Sequence, residues 1–188
     1  MAKIELNSAI RRIRGTIDNW VYRRNGDGVA IAKRPTASTT PPTAAQLAVR
    51  EDFRAAAAYA RSVKLDPIQR PRYEAAARAK GMRAFAFAVA DFLNEPKVLS
   101  IDLSAYHGAL GQLIKVRAVD DFEVTGVNVA ICDEEGGVIQ QGAAVFTDGL
   151  WQYAATGGIA VGESVVIKAM ATDRAGHTGS LDLPHTIA

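Results

Sequence analysis

Three histidines, one cysteine and scattered carboxylates are the side chains with which this 188-residue chain could do chemistry. His107, His177 and His185 fall in expected loops or near the last residue. None stands at metal-ligand spacing from another ligand. Gly157-Gly158 lies between expected strands with no lysine after it, so the pattern of a phosphate-binding loop is missing. No nucleophile-elbow pattern occurs. Cys132 ends an apolar run from Val127 and reads as a buried, inert thiol. As the single cysteine it can form no intrachain disulfide, so nothing ties the fold to an oxidising compartment. Asp120, Asp121 and Asp173 sit at expected strand ends. Calcium takes about six to eight oxygen ligands. No full loop of them is visible, and the three read as turn and capping carboxylates. No enzymatic activity is expected, and no cofactor, metal or small-molecule substrate.

The charged residues carry the stronger signal. Residues 1–100 hold 18 Lys and Arg against 9 Asp and Glu, a net of +9. Residues 101–188 hold 4 against 11, a net of −7. Oppositely charged halves on one chain form a dipole that can steer association. The basic candidates are Arg11, Arg12, Arg14, Arg23 and Arg24, with Trp20 and Tyr22 interleaved. The acidic candidates are Asp120, Asp121, Glu123, Glu134 and Glu135. Two kinds of partner follow. The basic half can dock on the acidic half of another copy. Alternatively the arginines, with Lys33 and Arg34, can hold a nucleic-acid backbone while the aromatic rings stack on bases. No named nucleic-acid motif accompanies them.

The elements that must position these residues change character along the chain. Ile4 and Leu6 alternate with Lys3 and Glu5, as a strand does. Residues 8–14 fit a short helix or a strand. Trp20 to Arg24 and Val29 to Lys33 flank Asn25-Gly-Asp-Gly and predict a β-hairpin, because Asn-Gly and Asp-Gly supply the positive-φ residues of tight turns. Residues 35–42 form a proline-bearing linker. Thr43-Ala-Ala-Gln46 has capping-box spacing, and Val49, Phe53, Ala56, Ala60 and Val63 mark one helical face. Asp66-Pro67 ends that helix. A second helix runs from about Pro71 to Lys80, with Gly81 past its end. A third covers 82–93, with Phe85, Ala86, Val89, Phe92 and Leu93 facing a core. These helices are expected to pack on the hairpin. From about residue 100 the period becomes two. Strands are expected at Leu113 to Ala118, Phe122 to Cys132, Val138 to Phe146, from Trp151, Ser164 to Thr172 and Gly176 to Leu183. Short strands at this spacing predict a sandwich. Its expected core includes Trp151, Val129, Ile131 and Val166.

Val119-Asp-Asp-Phe-Glu-Val-Thr with the following Val127-Asn-Val129, Gly149-Leu-Trp-Gln-Tyr153, and Ala171-Thr-Asp-Arg-Ala-Gly-His-Thr-Gly179 make the second half resemble bacterial Ig-like domains. The resemblance implies a sandwich fold and leaves function open. The first half resembles a loose group of small, uncharacterised bacterial and prophage-associated proteins. The residues that carry this are Ile13-Arg-Gly15, Ile17, Val21-Tyr22, Lys33-Arg-Pro35, Thr43, Gln46, Val49-Arg50 and Phe53. That resemblance implies a particle or filament component.

The expectation is therefore an α+β first domain over 1–100, a basic hairpin with about three helices, followed by an acidic all-β Ig-like sandwich over 101–188. The expected function is a structural subunit that assembles head to tail with itself. Nucleic-acid binding by the basic half is the alternative. No run of about 18 apolar residues occurs, so no membrane insertion is expected. Met1 to Ser8 hold no apolar run of signal-peptide length, so synthesis in a cytoplasm is expected, with a virion or extracellular assembly as a destination.

Overall fold

A computed structural model describes residues 14–25, 28–36 and 40–188. The chain divides into two compact units, Met1–Ala44 and Ala45–Ala188. The division thus falls ahead of the helices and not near residue 100.

The first unit holds an antiparallel meander of β1 (Gly15–Ile17), β2 (Trp20–Asn25) and β3 (Gly28–Lys33), in the order β1-β2-β3. Asp18 turns the chain between β1 and β2 at a φ of 51°, a left-handed position that aspartate tolerates better than most residues. Asn25 pairs with Gly28, so the expected hairpin closes through two residues. β1 makes the hairpin a three-stranded sheet. The expected strand from Lys3 to Leu6, together with Arg11 and Arg12, lies outside the described residues.

The second unit begins with three helices. Helix α1 (Ala44–Leu65) starts directly after Thr43, where the capping-box spacing put it. Asp66 follows it, and its Oδ1 accepts the backbone N–H groups of Ile68 at 2.8 Å and Gln69 at 3.1 Å. Helix α2 (Gln69–Ala79) ends at Gly81, whose φ of 66° suits glycine, and Met82 N–H donates to the Ala77 carbonyl at 2.8 Å in the closing pattern of a Schellman turn. Helix α3 (Ala84–Leu93) buries Phe87, Ala88, Val89 and Asp91, while Phe85 and Leu93 are exposed. Of the expected inward face, Val89 is buried and Phe92 packs against the helical core, whereas Phe85, Ala86 and Leu93 are exposed. A helix apolar almost all round offers no periodicity from which to choose a face.

Eight strands follow: β4 (Lys97–Asp102), β5 (Leu113–Val119), β6 (Val124–Cys132), β7 (Val138–Ala143), β8 (Val145–Thr147), β9 (Leu150–Ala154), β10 (Ser164–Asp173) and β11 (Thr178–Thr186). They form two four-stranded antiparallel sheets, ordered β4-β5-β9-β8 and β11-β10-β6-β7. Ile114, Val116, Val127, Val129, Ile131, Tyr153, Val165, Ile167, Ala169 and Ala171 fill the sandwich core. Three expectations need correction. The strand expected over Val138 to Phe146 breaks at buried Ala144, where the chain crosses from one sheet to the other. Val165 faces the core and Val166 is only half-buried, because the side-chain period of two assigns neighbours to opposite faces. Trp151 is half-buried at the core margin, and Tyr153 is the anchor inside.

The helices have their own core of Ala56, Ala60, Val63, Tyr73, Ala77, Phe87 and Ala88, and Phe122 from the β5–β6 loop packs into it. Helices and sandwich therefore share a unit, instead of forming separate domains over 1–100 and 101–188. No helix among the described residues is long and apolar enough to cross a membrane.

Candidate functional site

Two places collect the candidate residues. One is the joint between the helices and the β5–β6 loop; the other is the three-stranded sheet of the first unit.

The joint is built around Phe122. Its ring lies 4.3 Å from Tyr73 and 5.8 Å, edge-on, from Phe87, between centroids. Hydrogen bonds hold the loop that presents it: Asp120 Oδ2 accepts the N–H groups of Phe122 and Glu123, both at 3.1 Å. Asp121 accepts Asn94 Nδ2 on its Oδ2 at 2.6 Å, and Lys80 Nζ donates to the Asp121 carbonyl at 2.5 Å. Glu123 Oε2 takes Arg72 at 2.8 Å and the Arg174 Nη2 at 2.6 Å. The Arg174 guanidinium holds the Glu123 carboxyl below its usual range, with Arg72 adding to the effect, and Glu123 in turn raises Arg174. Asp120, Asp121 and Glu123, expected as a docking patch for another copy, are thus engaged by groups of their own chain. Asp173, expected as a turn carboxylate, is one. Its Oδ1 accepts Gly176 N–H at 2.6 Å and His177 N–H at 2.7 Å.

Beneath the joint lies a group that no sequence motif marks. Asp91 is 1% exposed, and its Oδ2 accepts the Tyr73 hydroxyl at 2.6 Å. The Tyr73 and Tyr59 hydroxyls are 2.7 Å apart. The other Asp91 oxygen is buried without a hydrogen-bond partner. Burial pushes the Asp91 carboxyl up to about 6, against the Tyr73 hydrogen bond, and the Asp120, Asp173 and Asp121 carboxylates add to the rise. Burial and the bond to Asp91 push the Tyr73 hydroxyl above the usual tyrosine range. One sequence signal could have found Asp91: it is the single charged residue in Ala84-Phe-Ala-Phe-Ala-Val-Ala-Asp-Phe-Leu93. Among the described residues, no three His, Cys, Asp or Glu side chains are grouped to hold a metal ion.

In the first unit the register sorts the candidates onto two faces. Ile17 pairs with Trp20, Trp20 with Lys33 and Tyr22 with Ile31, so Ile17, Trp20, Tyr22, Ile31 and Lys33 share a face. Ile17, Trp20 and Ile31 are 53%, 48% and 45% exposed. Arg23 pairs with Ala30 and lies, exposed, on the other face. Arg14 is exposed just before β1. Arg24 pairs with Val29 on β2. Glu134 and Glu135 are exposed in the β6–β7 turn, apart from Asp120, Asp121 and Glu123.

No protein-family model and no curated protein matches the chain. Solved structures match about half of it. CopC from Methylosinus trichosporium OB3b is 21% identical over 49% of this chain and 92% of its own, with a TM-score of 0.36. The tetra-tandem repeat in the extending region of a large adhesion protein is 21% identical over 50% of this chain and 24% of its own, with a TM-score of 0.37. Chitinase ChiW from Paenibacillus sp. str. FPU-7 is 10% identical over 50% of this chain and 8% of its own, with a TM-score of 0.35. Likeness at this level assigns neither a family nor a role.

Proposed function

We propose that the chain is a non-enzymatic structural subunit that assembles head to tail with itself, into a filament or a particle layer, through its first unit. One observation carries the reading. Ile17, Trp20 and Ile31 lie side by side on one sheet face and remain about half exposed. A three-stranded sheet gains stability by covering its apolar face, and a contiguous exposed apolar patch marks an interaction surface. A contact between two different patches on successive copies is heterologous, and it either closes into a ring or continues as a helical filament.

The strand orders β4-β5-β9-β8 and β11-β10-β6-β7 correspond to A-B-E-D and G-F-C-C′ of the immunoglobulin arrangement, which supports the Ig-like reading of the sandwich. In this reading the sandwich is the body of the subunit. Nucleic-acid binding is the second reading: Lys33 shares the face of Trp20, whereas Arg23 lies on the opposite face of the sheet.

Light scattering and negative-stain microscopy of the purified protein test the proposal. Concentration-dependent assemblies are expected at low salt. Trp20→Ser combined with Ile31→Ser is expected to abolish them and to leave the sandwich folded by circular dichroism. A monodisperse monomer at high concentration and low salt would overturn the proposal.

A further inference from the structure

Among the described residues, the sandwich leaves one pair of sheet edges open. On one side, β4 and β11 lie next to each other across the two sheets. On the other side, β7 and β8 are the edge strands, joined only through Ala144. Natural edges are blunted by lysine, proline, inward charge or a β-bulge. Neither Val138-Ile-Gln-Gln-Gly-Ala143 nor Val145-Phe-Thr147 contains a charge or a proline, and β7 has one bulge, at Ile139, where Gln140 pairs with Ile131 and Val138 with Cys132. Both strands expose apolar side chains instead: Val138 56%, Ile139 48%, Val145 68% and Phe146 59%.

The segment that carries this edge is acidic in sequence, and Lys168, in line with Gln141 through Ala130 on the same sheet, is paired with Asp182. Residues 118–167 contain 8 Asp and Glu and no Lys or Arg. Three of these acids, Asp120, Asp121 and Glu123, are engaged at the joint. Glu134 and Glu135 stand exposed in the turn that leads into β7. The first unit is the complement. Residues 1–44 contain 8 Lys and Arg and 3 Asp and Glu, a net of +5. Among the described residues its β3 is also an edge strand, is six residues long like β7, and ends in exposed Lys33 followed by exposed Arg34.

We propose that β3 of one copy adds antiparallel to β7 of a second copy, so that the basic meander of one subunit extends the β11-β10-β6-β7 sheet of the next. The inference rests on the assembly reading above and adds a strand pairing at the edge of the sheet whose face that reading uses. The antiparallel sense follows from charge, because it brings Lys33 and Arg34 to the end of β7 that adjoins Glu134 and Glu135. In the parallel sense the same cations would meet the Ala143 end. Matching six residues to six sets Lys33 opposite Val138, Ala32 opposite Ile139 and Ala30 opposite Gln141. Backbone hydrogen bonds then satisfy two open edges at once, and the charges set register more than affinity. The donor and acceptor strands are different, so each copy carries one of each and the contact propagates.

Two measurements on the full chain test this. Cysteine pairs placed at Ala30→Cys with Gln141→Cys, and at Ala32→Cys with Ile139→Cys, are split between two copies, mixed and oxidised. Cys132 is 2% exposed and stays out of the reaction. Disulfide-linked dimers are expected from both mixtures and from neither variant alone. In the second measurement, Lys33→Glu with Arg34→Glu and Glu134→Lys with Glu135→Lys are each expected to lose high-molecular-weight scattering alone. Mixing the two variants is expected to restore it, because each turn again meets an opposite charge. If the wild-type chain assembles but neither pair cross-links and neither charge reversal changes scattering, this pairing is wrong and the assembly reading survives. If the wild-type chain stays a monomer throughout, both fall together.

Discussion

Asp91 sits where a carboxylate is least at ease, under a helix–sandwich joint with one oxygen bonded to Tyr73 and the other buried without a partner. Its titration makes stability depend on pH, in the direction opposite to the common salt-bridged aspartate. The unfolded carboxyl loses its proton near its ordinary value of 3.8, whereas the folded one keeps it to about 6. Between these values the native state binds more protons, so stability falls as pH rises through this window and the loss is complete above it. The displacement corresponds to roughly 3 kcal/mol. Asp91→Asn keeps an acceptor for Tyr73 and removes the charge. Urea unfolding from pH 4 to pH 7 is expected to show a falling stability for the wild type and a flatter profile for the variant. Equal slopes for the two proteins would place the titration on another group.

At the scale of elements, the packing of helices on the sandwich depends on small residues as much as on ion pairs. Arg72 and Glu123 remain 44% and 36% exposed at the side chain, and such pairs contribute about 0–1 kcal/mol. Gly179 on β11 is different. A Cβ there would run into the carbonyl oxygen of Pro96, in the segment that joins α3 to β4. The obstacle is backbone, so a side chain can fit only if β11 or the Pro96 segment moves. Gly179→Ala is expected to cost about 1–3 kcal/mol, the usual range for overpacking, measured by chemical denaturation. Gly126, with open space around its would-be Cβ, is the control, and Gly126→Ala is expected to cost less.

For the whole molecule, the two cores place the cooperative unit. The sandwich cluster and the helical cluster both lie within Ala45–Ala188, and Phe122 belongs to the sandwich loop while packing with the helices. Residues 45–188 expressed alone are therefore expected to fold, to unfold in one transition seen alike by helical and by tryptophan signals, and to remain monomeric in scattering at concentrations where the full chain assembles. Two separated transitions would mean that helices and sandwich are independent after all.

The division between what the linear order decides and what needs three dimensions follows the range of the forces. Turns and caps answer to local backbone preferences, so Asn25-Gly-Asp-Gly, Asp66 and Gly81 could be placed from their neighbours alone. The period-two stretches after residue 100 announce a sandwich because burying one sheet face imposes alternation. The excess of basic residues before residue 100 and of acidic ones after it is a property of composition. Other features exist only when distant segments meet. Composition could not tell that Arg72 and Lys80 would take up Glu123 and Asp121 of their own chain, 51 and 41 residues further on, and leave Glu134 and Glu135 exposed. Nor could periodicity choose an inward face for α3, where Phe87 and Asp91 turn in and Phe85 turns out. Which edges of the sandwich stay open is decided by the crossing at Ala144 and by the approach of β4 to β11, and both are events of packing between sheets.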